Sequence, residues 1–183
     1  MNGILEQIRD EFIEQAKQSE IVLGAWNFGS ETHGLSDEYS DVDIVLLINA
    51  KSFANISDIT EKWLKNICNE ILLCYPEGFN GEAIINNGYL ISFDSKVFQF
   101  DVFMLNSEKL NDYICRLHYS GLTEKDIIFD KTGAVKELAD LNLKGDFWND
   151  DIAGLQNTYW YHAYMTKKYF IRKDFFKLYN VLY

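Results

Sequence analysis

Phe28-Gly29-Ser30, ten intervening residues, then Asp41-Val42-Asp43-Ile44: this stretch decides how the chain is read. The apolar run Ile21–Trp26 leads into Gly29-Ser30 and reads as a strand delivering the chain into a tight turn. Glycine at that point opens backbone conformations closed to other residues and lets a ligand approach the main chain. Beyond the polar connection, Asp43 to Ile48 is rich in Ile, Val and Leu, the composition of a buried strand. Asp41 and Asp43 stand two apart at its mouth, so the two-residue period of a strand sends both carboxylates to one face. Side by side they repel each other, and a cation relieves the repulsion. Mg²⁺ suits carboxylates that share it with substrate phosphates, and the Gly-Ser turn offers N–H groups and a hydroxyl to phosphate oxygens. A phosphate cradle beside a carboxylate pair is the apparatus of phosphoryl or nucleotidyl transfer.

A second strand pair carries a third acid. Tyr89–Phe93, a turn at Asp94-Ser95-Lys96, and Val97–Leu105 read as a hairpin, and Asp101 interrupts its otherwise apolar second strand. A charge there is expensive to bury unless it is paired or bound to a metal. Asp94 is the alternative third carboxylate, although it reads as a turn residue.

Composition limits the partners. The chain has 183 residues, is 48% hydrophobic and 15% aromatic, and can bury a core as one domain of ordinary size or one domain plus a fragment. Its net charge of −11 argues against a nucleic-acid substrate, whose backbone demands a basic groove. The same charge attracts a small cationic acceptor. Cys68, Cys74 and Cys115 have neither metal-ligand spacing nor an even count. No signal peptide or membrane-length apolar run is visible, so a cytoplasmic location and no membrane partner are expected.

Helical spacing of Ile4, Leu5, Ile8, Phe12, Ile13 and Ala16 predicts a helix over 3–17, ahead of the first strand. Ser57 is a candidate N-cap for a second helix whose apolar face runs from Ile59 to Leu72, with Pro76 ending the segment. Residues 75–88, rich in Gly and Asn, read as a loop with a short strand near Ala83-Ile84-Ile85. Ser107 is placed to cap a helix to about Leu117, and Asp126–Asp130 reads as a short strand. From Phe147 onward aromatics recur at helical spacing, giving two helices broken near Arg172-Lys173. The expected division is 1–144 for the main domain and 145–183 for a helical segment. Lys167, Lys168, Arg172, Lys173 and Lys177 reverse the charge of this segment and would offset a triphosphate, Lys168 and Arg172 foremost. Its apolar stripe suits burial against a second copy, a possible homodimer. His33 is read as a solvent-exposed loop residue, and His118 and His162 as structural.

Gly29-Ser30 followed by Asp41-Val42-Asp43-Ile44 resembles the signature of the DNA polymerase beta-like nucleotidyltransferase superfamily. The longer wording, including Phe129-Asp130-Lys131-Thr132-Gly133, is most similar to the antibiotic nucleotidyltransferases, which adenylylate aminoglycosides or lincosamides. The resemblance implies an α+β nucleotidyltransferase fold: a mixed β-sheet flanked by helices, with a C-terminal helical segment. It implies Asp101 as the third carboxylate, with Asp41, Asp43 and Asp101 holding two Mg²⁺ ions, and Gly29 and Ser30 orienting the phosphates of a nucleoside triphosphate, ATP by preference. An aminoglycoside-like hydroxyl would accept the nucleotide, deprotonated by Asp101 or by Asp146, Asp150 or Asp151. The alternatives are a lincosamide acceptor, a protein hydroxyl as in toxin–antitoxin nucleotidyltransferases, or a catalytically silent nucleotide-binding module. Asp130 is read as structural.

Overall fold

The computed structural model describes residues 3–29, 41–141 and 152–173. The chain divides into two compact units, 1–142 and 143–183. In the first unit the described elements are α1 (Gly3–Gln18), β1 (Val22–Asn27), β2 (Val42–Ile48), α2 (Ile56–Ile67), β3 (Glu70–Pro76), β4 (Ile84–Phe93), β5 (Lys96–Asn106), α3 (Tyr113–Tyr119), β6 (Ile127–Asp130) and α4 (Ala134–Asp140). In the second, α5 spans Ile152–Ile171. None of the described helices is long and apolar enough to cross a membrane.

Six strands form one mixed sheet in the order β3-β4-β5-β2-β1-β6. β2 and β5 pair in parallel, and the other pairs are antiparallel. The α+β fold expected from the sequence, a mixed sheet flanked by helices with a helix at the C-terminal end, is therefore observed.

Alternation sorts the sheet into two faces. Val42, Ile44, Leu46 and Ile48 of β2 and Phe100, Val102 and Met104 of β5 join one core cluster with Leu5, Ile8, Phe12, Ile13 and Ala16 of α1 and Ile56 and Leu64 of α2. Phe12 is fully buried and meets Trp63 and Phe100 edge to face, at centroid distances of 5.8 and 5.1 Å. The intervening residues of β2 and β5, Asp43 and Asp101 among them, point to the opposite face. There Trp26 donates its indole N–H to His118 O of α3 (3.1 Å), and the His118 ring lies against Phe28 and Phe103.

The segment Phe129–Gly133 ties distant parts of this unit together. Asp130 Oδ1 accepts from the backbone N–H groups of Thr132 (3.2 Å) and Gly133 (2.9 Å), and Oδ2 accepts from Lys136 (2.9 Å), which fixes the start of α4. Lys131 Nζ donates to Ser19 O (2.6 Å), one residue past the end of α1, a carbonyl that also accepts from Val22 N–H (3.4 Å). Gly24 provides the room for α4, since a Cβ there would overlap Val135 Cγ2. The structural reading of Asp130 holds.

Several elements differ from expectation. α2 stops at Ile67 because Cys68 is extended (φ −88, ψ 162), and Ile71, Leu72 and Cys74 lie in β3 instead of on a helix face. Cys74 is accordingly exposed. Pro76 closes this edge strand, where a missing N–H is tolerated. The Asn- and Gly-rich loop is shorter than expected, as β4 runs from Ile84 through Asn86-Asn87-Gly88. The helix after β5 starts at Tyr113, capped by the Asp112 side chain on Ile114 N (3.0 Å), not by Ser107. α2 begins at Ile56, one residue before the expected Ser57 cap. α4 was not anticipated. The second helix expected after Arg172-Lys173 lies outside the described residues.

Replacing Phe12 by Ala should remove about 3–5 kcal/mol of unfolding free energy, read from urea denaturation. Val97→Ala, at a site 59% exposed, should stay within about 0.5 kcal/mol of the parent.

Candidate functional site

The parallel pairing of β2 with β5 sets Asp43 directly opposite Asp101. Asp41, two residues before Asp43, lies just ahead of β2 on the same face. Each of the three offers a carboxylate oxygen, and these oxygens lie within 4.8 Å of one another. All three residues are half-buried. The predicted trio therefore converges.

Two glycines shape the space around it. Gly29 takes φ +68, a left-handed conformation that a side chain disfavours, and a Cβ there would overlap the Asp43 carboxylate. Phe28 N–H donates to Asp43 O (3.1 Å), so the β1–β2 ladder carries the turn up to the acid. On the other side, Gly88 of β4 pairs with Asp101, and a Cβ at Gly88 would stand 2.7 Å from Asp101 Oδ1. Gln99 Nε2 donates to Asp101 Oδ2 (2.8 Å) and orients that carboxyl.

Burial pushes the Asp101 carboxyl above the usual carboxylate range, the charges of Asp41 and Glu77 add to the push, and the Gln99 hydrogen bond opposes it. An acid whose charge is disfavoured in this way gains most from a cation. The donors are all carboxylate oxygens, hard ligands suited to Mg²⁺ or a similar divalent ion, with no sulfur or imidazole in the set. The residues present fit such an ion.

Asp94 is not part of this group: it sits with Ser95 in a two-residue hairpin turn at positive φ (48 and 63), linking β4 to β5. Ser30, His33, Asp146, Asp150 and Asp151 lie outside the described residues. Lys168 is in α5 and Arg172 follows its last turn, both in the second unit. His118 is mostly buried, and burial holds its imidazole below the usual histidine range; Nδ1 donates to Ile114 O (2.7 Å). Its packing role is as expected. Glu77, near enough to Asp101 to act on its ionisation, was missed in sequence because it falls just after a lone proline in what reads as a loop.

A family model described as streptomycin adenylyltransferase matches residues 5–182. No curated protein matches the chain.

Gly29→Ala should leave the fold intact but weaken Mn²⁺ binding about tenfold or more, since displacing one ligand carboxylate costs at least one charge-assisted contact; calorimetry reads this. Asp101 supplies a second expectation with a definite sign. Its folded pKa is raised, so its ionisation opposes folding: the penalty is absent below the unfolded value of about 4, grows as pH rises, and is complete above the folded value. In EDTA, Asp101→Asn should therefore melt higher than the parent at pH 7, the gap closing toward about pH 4. A lower melting temperature for the Asn variant at pH 7 would contradict this account of the site.

Proposed function

The chain belongs to the streptomycin adenylyltransferase family and is a nucleotidyltransferase; on that premise we propose that it transfers AMP from ATP to a hydroxyl of an aminoglycoside-like antibiotic. The single observation that carries this reading is the convergence of Asp41, Asp43 and Asp101 on one sheet face beside the Gly29 turn.

In the proposed reaction the acceptor hydroxyl oxygen attacks the α-phosphorus. A new P–O bond forms, the bond to the bridging oxygen of pyrophosphate breaks, and pyrophosphate leaves. Asp41, Asp43 and Asp101 would hold magnesium, which when bound neutralises phosphate charge and stabilises the attacking and leaving oxygens. Asp101 is the group assigned to take the hydroxyl proton, because its carboxylate stands among the oxygens that would hold the metal beside the attacking group. Gly29 keeps its own backbone close to Asp43, and the N–H groups and hydroxyl of the Gly29-Ser30 pair are assigned to the terminal phosphates. The basic run holding Lys168 and Arg172 is assigned, on charge alone, to offset the triphosphate. Residues 1–144 would form the transferase domain and 145–183 a helical addition to it.

Asp43→Asn should abolish transfer, by about 10³-fold or more, while the melting temperature stays near that of the parent. Pyrophosphate release over a panel of aminoglycosides, lincosamides and proteins, with mass spectrometry of the acceptor, measures it. An adduct of 5′-AMP on an aminoglycoside is the expected product. Near-parental turnover in the variant would remove the trio from the reaction, and an adduct on a lincosamide or a protein would reassign the acceptor.

A further inference from the structure

Among the described residues, the Asp101 carboxylate has a single hydrogen-bond donor, and it comes from the same strand. Gln99 stands two residues before Asp101 on β5, so the two side chains rise from one face. Gln99 Nε2 lies 2.8 Å from Asp101 Oδ2, a well-formed contact to an oxygen that, when ionised, only accepts. The other oxygen is placed by what is missing opposite it. Gly88 faces Asp101 across the β4–β5 pairing, and a Cβ there would come 2.7 Å from Oδ1. Oδ1 therefore occupies the space that any other residue at 88 would fill.

That hold acts against a definite force. Asp41 and Glu77 are close enough for their charges to act on Asp101, and Asp43 stands directly opposite it. Repulsion from these acids turns a freely rotating carboxylate away from the group, and the half-buried Asp101 side chain has other rotamers to take. A lysine or arginine in place of Gln99 would hold it too, but would cancel the charge that a divalent ion requires. An amide donor holds the carboxylate and leaves its negative charge intact. Gln99 itself is exposed and takes no part in the core cluster, so packing supplies no separate reason for the contact.

We propose that Gln99 is a positioning residue of the transfer reaction: its amide, with the bare backbone of Gly88, fixes the Asp101 carboxylate in the orientation in which it joins Asp41 and Asp43. Hydrogen-bond partners of ligand carboxylates set the geometry in which an ion is bound. Gln99 acts through Asp101 and is assigned no contact with nucleotide or acceptor. It thus governs the rate of transfer and the affinity for the ion, not the choice of acceptor. The inference rests on the transfer reading above, and the test keeps the two apart.

The test uses the full chain, with Mn²⁺ alone as the probe in calorimetry and streptomycin as the acceptor in pyrophosphate release. Gln99→Met keeps the length of the side chain and removes the donor. It should weaken Mn²⁺ binding about tenfold to a hundredfold and lower kcat by a similar factor. The streptomycin KM should stay within about threefold, and the far-UV circular dichroism should match the parent. Gly88→Ala displaces the carboxylate from the other side, moving the end of a side chain and not the backbone, and should produce the same pair of losses. Val97→Ala, on the same face four residues before Asp101, is the control and should bind and turn over like the parent. Parental Mn²⁺ affinity in Gln99→Met, equal losses in Val97→Ala, a raised KM with unchanged kcat, or no Mn²⁺ binding by the parent overturns the positioning role. Weakened Mn²⁺ binding in Gln99→Met, beside a parent that releases no pyrophosphate with any acceptor, overturns the transfer reading and leaves the positioning of Asp101 standing.

Discussion

Repulsion between carboxylates held in register on adjacent strands is the constraint around which this molecule is arranged. Asp43 and Asp101 cannot separate without breaking the β2–β5 pairing, and that pairing is anchored by Ile44, Leu46, Val102 and Met104, all completely buried on the other face. Burying such side chains is worth about 1.5–3 kcal/mol each, more than the mutual repulsion of half-exposed acids can recover. The packed face therefore imposes the strained one. The glycines complete the arrangement: Gly29 and Gly88 leave each carboxylate open on the side where any side chain would press against it.

The parts of the fold that were legible in the sequence are those where burial acts on a regular period. α1 shows its five buried residues at helical spacing, and β2 shows a run of aliphatics ending in the Asp41/Asp43 pair. Asp101 was legible for the opposite reason, as a charge where the pattern called for an apolar residue. β3 was not, since Ile71 and Leu72 extend the apolar face of α2 in phase. What ends the helix is the extended backbone at Cys68 together with the pairing of β3 to β4, which is tertiary information. Glu77 was hidden for the same reason, because its place beside Asp101 depends on that pairing. The Asn86-Asn87-Gly88 run reads as a turn, yet the Asn80 side chain accepts from the Asn86 backbone N–H (2.6 Å) and the Asn87 side chain donates to Ser57 Oγ (3.0 Å), so this polar run is held inside the strand although the buried Asn86 Oδ1 has no partner.

Phe129-Asp130-Lys131-Thr132-Gly133 illustrates how a motif can mark a site without touching it. Asp130 is spent on three backbone N–H groups and Lys131 on the carbonyl end of α1. β6 pairs with β1, and β1 runs directly into Phe28 and Gly29. A loosened Asp130 or Lys131 would thus be felt first by α1, α4 and the far edge of the sheet, and at Gly29 only through β1. The motif holds the strand that holds the turn.

Charge sets a direction along the candidate site. At one end, three carboxylates favour a polyphosphate only when divalent cations come with it, because a bare triphosphate would meet like charge. Glu77, beside Asn86 at the end of the β3–β4 ladder, is near enough to Asp101 to disfavour its charge and adds another negative group to the site. For a ligand without metal ions the whole strip selects cations, in keeping with a chain carrying −11. In the proposed reaction a nucleotide would meet this negative field through the ions it shares with the trio, and a polycationic acceptor would meet it directly.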